Sequence, residues 1–208
     1  MFITLEGPEG SGKSMQIRDL AEYVRSLGYE VLTTREPGGT SIGDQIRQVI
    51  MSMENNMMHP STEILLFCAA RAQIVSEVIR PNLEKGVVVI SDRYGDSTLA
   101  YQGYGHGLDL KVLQEILMFA TGGLKPDLTL LLDVDVEEGL KRRRACGGEW
   151  NRLDAQQVAF HQRVREGYHK MVGQDTSRWV VVDAAQEPQK VQADLRTAVR
   201  KKLERVNP

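Results

Sequence analysis

The sequence predicts an α/β fold with a parallel sheet, on two observations. Short apolar runs alternate with longer segments of helical period, the pattern of strands joined by crossover helices. The first run then leads through GPEGSGKS at residues 7–14 into an amphipathic segment, so a glycine-rich turn joins a strand to a helix.

Strands are expected at FITL (2–5), EVLTT (30–34), VVVIS (87–91), LTLLLDV (128–134) and WVVVD (179–183), because continuous Val/Ile/Leu runs suit strands covered on both faces. Between them, helices are expected at 13–27, 41–53, 61–85, 109–121, 135–145, 154–173 and 187–205. In the first of these, Ile17, Leu20, Ala21, Val24 and Leu27 share one face. Gly28 and Gly86 stand where C-terminal caps precede a strand, and Ser61, Glu63 and Ile64 open a helix after Pro60. GDSTLAYQGYGHG (95–107), rich in glycine and polar tips, reads as a decorated loop, and ACGGEWNR (145–152) as a mobile one.

The 208 residues suit a single domain, with 41% hydrophobic and 26% charged residues. Lys and Arg number 26 against 28 Asp and Glu, so there is no surplus positive charge for a nucleic-acid backbone, and direct nucleic-acid binding is not expected. Any anion site is local. Cys68 and Cys146 stand in no CxxC or Cys/His cluster, which suits reduced thiols in the cytoplasm. The opening MFITLEG lacks a signal peptide's basic leader and length, and no segment is long enough to span a bilayer. A cytoplasmic protein without membrane attachment is the expectation.

GPEGSGKS fits G-x-x-x-x-G-K-[ST] in the right context. Its glycines let backbone N–H groups converge on phosphate oxygens, the helix N-terminus adds partial positive charge, Lys13 reaches the terminal phosphates, and the Ser14 hydroxyl suits Mg²⁺. A guanine-specific switch needs N-K-x-D, which no asparagine begins, although DRYG at 92–95 mimics D-x-x-G. Partition-type ATPases carry a second lysine early in the loop, where this chain has Pro8.

Arg35 and Arg93 each follow an apolar strand, at the sheet edge where α/β folds bind ligands, and together they point to a second anion besides the triphosphate. In helix 61–85, Arg71 interrupts a stripe of Ile64, Phe67, Ile74, Val75 and Val78. A guanidinium facing a core requires paired donors, and beside an aromatic plane it can hold a base; a snorkelling arginine next to a core phenylalanine is the plainer alternative. Gln102 offers an amide to a base edge, and Tyr101 a rigid wall. Lys141, Arg142, Arg143, Arg144 and Arg152 flank the mobile loop, as a solvated helix end or as closing charges for phosphoryl transfer.

With these residues assembled, the chain closely resembles the bacterial thymidylate kinases, nearly end to end: EGPEGSGKS, TREPGGTSIGDQIR, LLFCAAR, SDRYGDSTLAYQG, PDLTLLLDV, GLKR and NRLD. The resemblance implies a single P-loop kinase domain over 1–208, a five-stranded parallel sheet surrounded by helices, and a short lid at about 142–153. It implies transfer of the ATP γ-phosphoryl group to dTMP with Mg²⁺, by a homodimer. Gly7, Pro8, Glu9, Gly10, Ser11, Gly12, Lys13, Ser14 and Arg142 correspond to the ATP site, with Arg142 against adenine. Phe67 corresponds to the thymine stacking partner, Arg71 to the donor to a base carbonyl, and Gln102 to the partner of the ring nitrogen. Tyr101 corresponds to the wall against a ribose 2′-hydroxyl. By the same resemblance Arg35, Arg47 and Arg93 correspond to the acceptor-phosphate contacts, Pro37 and Ser97 to the rest of the dTMP set, and Ser14 with Asp92 to the metal ligands. The resemblance implies that Glu9, Lys13 and Arg93 carry catalysis, with Glu9 facing the sugar of dTMP. Some relatives have an arginine within the P-loop; Gly10 stands here, so the lid supplies the mobile charge through Arg144 or Arg152.

The chain departs from the family pattern at His106, where many relatives have arginine, at CGGEW in the lid, and at Asp154 and Gln156 in place of glutamates. Two competing activities are a deoxynucleoside kinase, which has no use for arginines around an acceptor phosphate, and a non-catalytic P-loop nucleotide switch.

Overall fold

The computed structural model describes residues 1–147 and 150–206; Gly148 and Glu149 of the expected lid lie outside the described residues. Five parallel strands, β1 (Phe2–Glu6), β2 (Val31–Arg35), β3 (Val88–Asp92), β4 (Leu128–Asp133) and β5 (Trp179–Asp183), form one sheet in the order β2-β3-β1-β4-β5. Phe2 pairs with Val89 of β3, and Ile3 with Leu128 of β4. Each expected run therefore becomes a strand. The order reverses at β1, which opens a crevice at its carboxyl end, where the glycine-rich turn begins.

Both sheet faces are covered, which is why the strands read as unbroken apolar runs. On one face Ile3, Leu5, Ile90, Leu130 and Leu132 meet Leu20 and Val24 of α1 (Lys13–Ser26) and Leu195 and Val199 of α9 (Pro188–Val206). On the other face, Phe2 and Val89 meet Ile74 and Ile79, while Leu131 and Trp179 meet Phe160, Val164 and Tyr168 of α8 (Val158–Gln174). Each such side chain contributes about 1.5–3 kcal/mol on burial. That second face also carries Thr4, Glu6, Ser91 and Thr129, all fully buried, a polar stripe leading towards the crevice.

The remaining helices are α2 (Ser41–Met51), α3 (Pro60–Ile74), α4 (Arg80–Glu84), α5 (Gly95–Thr98), α6 (Leu110–Thr121) and α7 (Val136–Ala145). Two differences from expectation have clear causes. The helix expected over 61–85 passes through a wide π turn at Val75–Ile79 before Pro81, whose ring lacks an N–H and would strike the carbonyl one turn back. The expected loop at 95–107 is instead helical, α5 continuing into a π turn at Leu99–Gly105. Its glycines mark close approaches: a Cβ on Gly103 would run into Leu110, and one on Gly105 would lie 2.6 Å from the Phe160 ring. No helix among the described residues is long and apolar enough to cross a membrane.

Candidate active site

The glycine-rich turn forms a cradle at the N-terminus of α1. Gly7, Gly10 and Gly12 all have positive φ, and Gly12 caps α1 without a side-chain hydrogen bond, a turn and helix N-terminus suited to an anion. A Cβ on Gly10 would collide with the carbonyl of Gly139 on α7, so no side chain fits there without moving the turn. Lys13 Nζ donates to Gly7 O (2.9 Å), Pro8 O (3.0 Å) and Ser11 Oγ (3.1 Å). Burial, then the nearby Arg93, bring its pKa down to about 8. At the mouth of the cradle Ser14 Oγ donates to Asp92 Oδ2 at 2.7 Å, so the two expected metal ligands touch.

Glu9 turns away from this cradle. Its Oε1 accepts from Tyr101 OH (2.6 Å) and Arg93 Nη2 (3.2 Å), and its Oε2 lies 3.3 Å from His161 Nδ1. That last pair is close but not aligned for a hydrogen bond, and Oε2 and both His161 ring nitrogens are buried without hydrogen-bond partners. Burial pushes the Glu9 carboxyl up, yet His161, Arg93 and Lys13 outweigh it and hold its pKa at about 2. Arg93 also donates through Nη1 to Ser97 Oγ (3.1 Å) and Tyr168 OH (3.2 Å), and it has a φ of 69°, the lone positive value among described non-glycine residues. A strained backbone of this kind persists when its surroundings over-determine it, as this network does. Behind it, Glu6 accepts from Tyr94 N (2.8 Å), Ser97 Oγ (2.6 Å) and Tyr168 OH (2.8 Å); burial and Asp96 raise its pKa to about 7.

Arg71 is 1% exposed, which rules out snorkelling. Its donors are paired as burial requires: Nε to Glu36 Oε2 (2.7 Å), Nη1 to Thr98 Oγ1 (2.9 Å) and Nη2 to Tyr94 O (3.1 Å). It stands behind a cleft wall formed by Glu36, Pro37, Phe67, Thr98 and Gln102. Arg35 Nη2 meets Asp44 Oδ1 (3.1 Å), and Arg47 Nη1 donates to Pro37 O (3.0 Å).

The lid arginines separate. Arg142 donates to Glu138 Oε1 (2.8 Å) and Ala184 O (2.7 Å) and lines the cleft. Arg143 is held by Asp154, which also accepts from Asn151. Arg144 lies over the Trp150 ring, 5.4 Å from its centroid. Arg152, expected at the phosphates, is instead buried, donating to Glu63 Oε2 and to Ile50 O (3.1 Å). An unpaired buried carboxylate at Glu63 is the cost this contact avoids.

One cleft of about 460 Å³ gathers most of the expected residues: Glu9 to Ser14 of the cradle, Arg35, Pro37, Arg47, Phe67, Asp92, Arg93, Ser97, Tyr101, Gln102 and Arg142. Gly7 and Pro8 lie under the cradle as acceptors for Lys13, while Arg71, Arg144 and Arg152 do not line the cleft. Sequence reading missed Glu6, Glu36, Thr98, His161 and Tyr168. Glu36 carried a usable signal, since a buried Arg71 demands a carboxylate; His161 and Tyr168 arrive from a distant helix, and only folding brings them in.

The sequence from residue 5 to 195 matches the family model described as thymidylate kinase. Among curated proteins, the thymidylate kinase of Roseiflexus castenholzii is 53% identical over 198 residues, covering 89% of this chain and 86% of that protein. That of Thermomicrobium roseum is 54% identical over 190 residues (91% and 90% covered). Among solved structures, the crystal structure of thymidylate kinase from Ehrlichia chaffeensis is similar with a TM-score of 0.78 and 31% identity, covering 96% of this chain and 98% of that one.

Proposed function

The chain belongs to the thymidylate kinase family, and on that premise we propose how its residues divide the transfer of the ATP γ-phosphoryl group to dTMP, giving dTDP and ADP. The observation that carries the reading is one cleft lined both by the cradle with Lys13 and by Arg35, Arg47, Arg93 and the Phe67 ring, enough positive charge for a second anion besides the triphosphate. A deoxynucleoside kinase needs no guanidinium cluster around an uncharged hydroxyl, and a switch needs no pyrimidine wall.

Lys13 leaves its backbone acceptors for the donor phosphates, which restores a full charge that burial disfavours. Arg93, with Arg35 and Arg47, grips the acceptor phosphate and holds its attacking oxygen in line, so that most of the rate gain is positioning and charge neutralisation. Glu9 and Tyr101 face the sugar, Glu9 as an acceptor for the 3′-hydroxyl. Phe67 stacks on the base, with Gln102 at its ring nitrogen, while Arg71 behind the wall braces Glu36 and Thr98. Arg142, which also lines the cleft, lies against adenine. Ser14 and Asp92 suit Mg²⁺, because two touching hard oxygens are the share this ion takes from protein alongside water and phosphate. Bound there, it would neutralise phosphate oxygens. Arg144 supplies the mobile lid charge, since Arg152 is engaged by Glu63.

We assign the whole chain to one domain with residues 142–153 as its lid, working in the cytoplasm with both cysteines as thiols. A homodimer through α3 and α6 accounts for the exposed Leu65, Val112, Met118 and Phe119 on those helices. The decisive experiment measures ADP release with dTMP, dUMP, dCMP and dGMP as acceptors. Release that depends on dTMP is expected; ATP hydrolysis indifferent to dTMP overturns the reading.

A further inference from the structure

Glu63 lies on α3, four residues before Phe67, with its carboxylate turned inward and 1% exposed. Donors from separate parts of the chain converge on it. Gln102 Nε2 donates to Oε1 at 2.5 Å, Arg152 Nη2 donates to Oε2, and His106 Nε2 stands 3.6 Å from Oε1. Burial raises the Glu63 pKa, but His106, Arg152 and Gln102 together bring it below the usual value, so the group is an anion at neutral pH.

An ionised carboxylate only accepts hydrogen bonds, so the amide of Gln102 has to present its nitrogen to Glu63. The two ends of an amide have nearly the same shape, and steric fit alone does not choose between them. With Nε2 committed to Glu63, the carbonyl Oε1 is the end left for the cleft that Gln102 lines beside Phe67.

We propose that Glu63 is a specificity-determining positioning residue: by holding the Gln102 amide nitrogen, it presents the carbonyl to the base and selects pyrimidines that carry an N–H at ring position 3. Thymine and uracil have that donor; cytosine has a lone pair there and would meet Gln102 Oε1 acceptor to acceptor. The inference rests on the reading of this cleft as a pyrimidine monophosphate site. Arg152 serves the same end by balancing the buried charge that fixes the amide.

The test compares kcat/KM for dTMP with that for 5-methyl-dCMP, which keeps the 5-methyl group and differs at ring positions 3 and 4. In Glu63→Gln the new amide can donate as well as accept, so Gln102 is free to turn over and offer its NH₂ to the base. The dTMP preference should fall at least tenfold, with a rise in kcat/KM for 5-methyl-dCMP itself. Glu63→Asp, still acceptor-only, should keep the preference even where both rates fall. Glu63→Gln strands the Arg152 charge, so Glu63→Gln/Arg152→Gln is measured beside it with thermal melting as a check on folding. A ratio taken within one protein is insensitive to folded fraction or to slower transfer. An unchanged ratio in both variants, with the two acceptors losing rate equally, overturns the proposal and leaves Glu63 a structural anchor. Failure of the wild-type enzyme to phosphorylate dTMP overturns the underlying reading instead.

Discussion

Replacing Glu9 with glutamine keeps the shape of the side chain and removes its charge. The carboxylate is held at a pKa of about 2 against an ordinary 4.5, a difference of roughly 2.5 units and so up to about 3 kcal/mol of folding stability at neutral pH. The sign follows from the depressed value: this stability is fully present above pH 4.5 and fades as pH falls towards 2. At about 2–4 °C per kcal/mol for a chain of this size, Glu9→Gln should lower Tm by about 6–12 °C at pH 7, and by progressively less below pH 4. Turnover should fall more specifically. Losing one charge-assisted hydrogen bond, about 1.5–3 kcal/mol, from the acceptor side corresponds to a drop in kcat of roughly 10–150-fold. Glu9 faces Tyr101 and Arg93 rather than Lys13, so the KM for ATP should stay within about twofold. Steady-state kinetics with each substrate varied in turn, on protein shown folded by melting, reads both numbers. An unchanged kcat, or a loss confined to the KM for ATP, would refute the assignment of Glu9 to the acceptor.

Arg71→Met removes three donors and leaves Glu36 buried and unpaired; the loss should be about 3–5 kcal/mol, or roughly 6–20 °C in Tm. Because burial pushes the Glu36 pKa up, the penalty should grow as pH rises above 4.5, and Arg71→Met/Glu36→Leu should recover most of it in the same melts. Lys13, with its pKa brought down to about 8 in the free protein, regains its ordinary value against phosphate. ATP binding above pH 8 should therefore take up a proton and weaken by up to about tenfold per pH unit, which calorimetry in buffers of different ionisation enthalpy reads directly.

Local order was legible in the sequence wherever a pattern repeats or a turn needs particular residues. The five apolar runs became the five strands, and the spacing of Gly7, Gly12, Lys13 and Ser14 fixed the cradle. It failed where glycine served contact instead of chain reversal: Gly103 and Gly105 look like loop residues but let a helix approach Leu110 and Phe160. Arg152 shows the same limit at the site. Its position beside a loop suggested a moving charge, while its partner Glu63 sits 89 residues away, beyond the reach of any local pattern.

The sequence by itself determined the parallel α/β sheet and the phosphate cradle, because periodicity and glycine spacing act over a few residues. Only the tertiary structure decided that Glu9 turns to Tyr101, Arg93 and His161, and that Arg152 and Gln102 both donate to the buried Glu63. Those outcomes depend on which distant donors meet each buried carboxylate, and the chain brings them together only by folding.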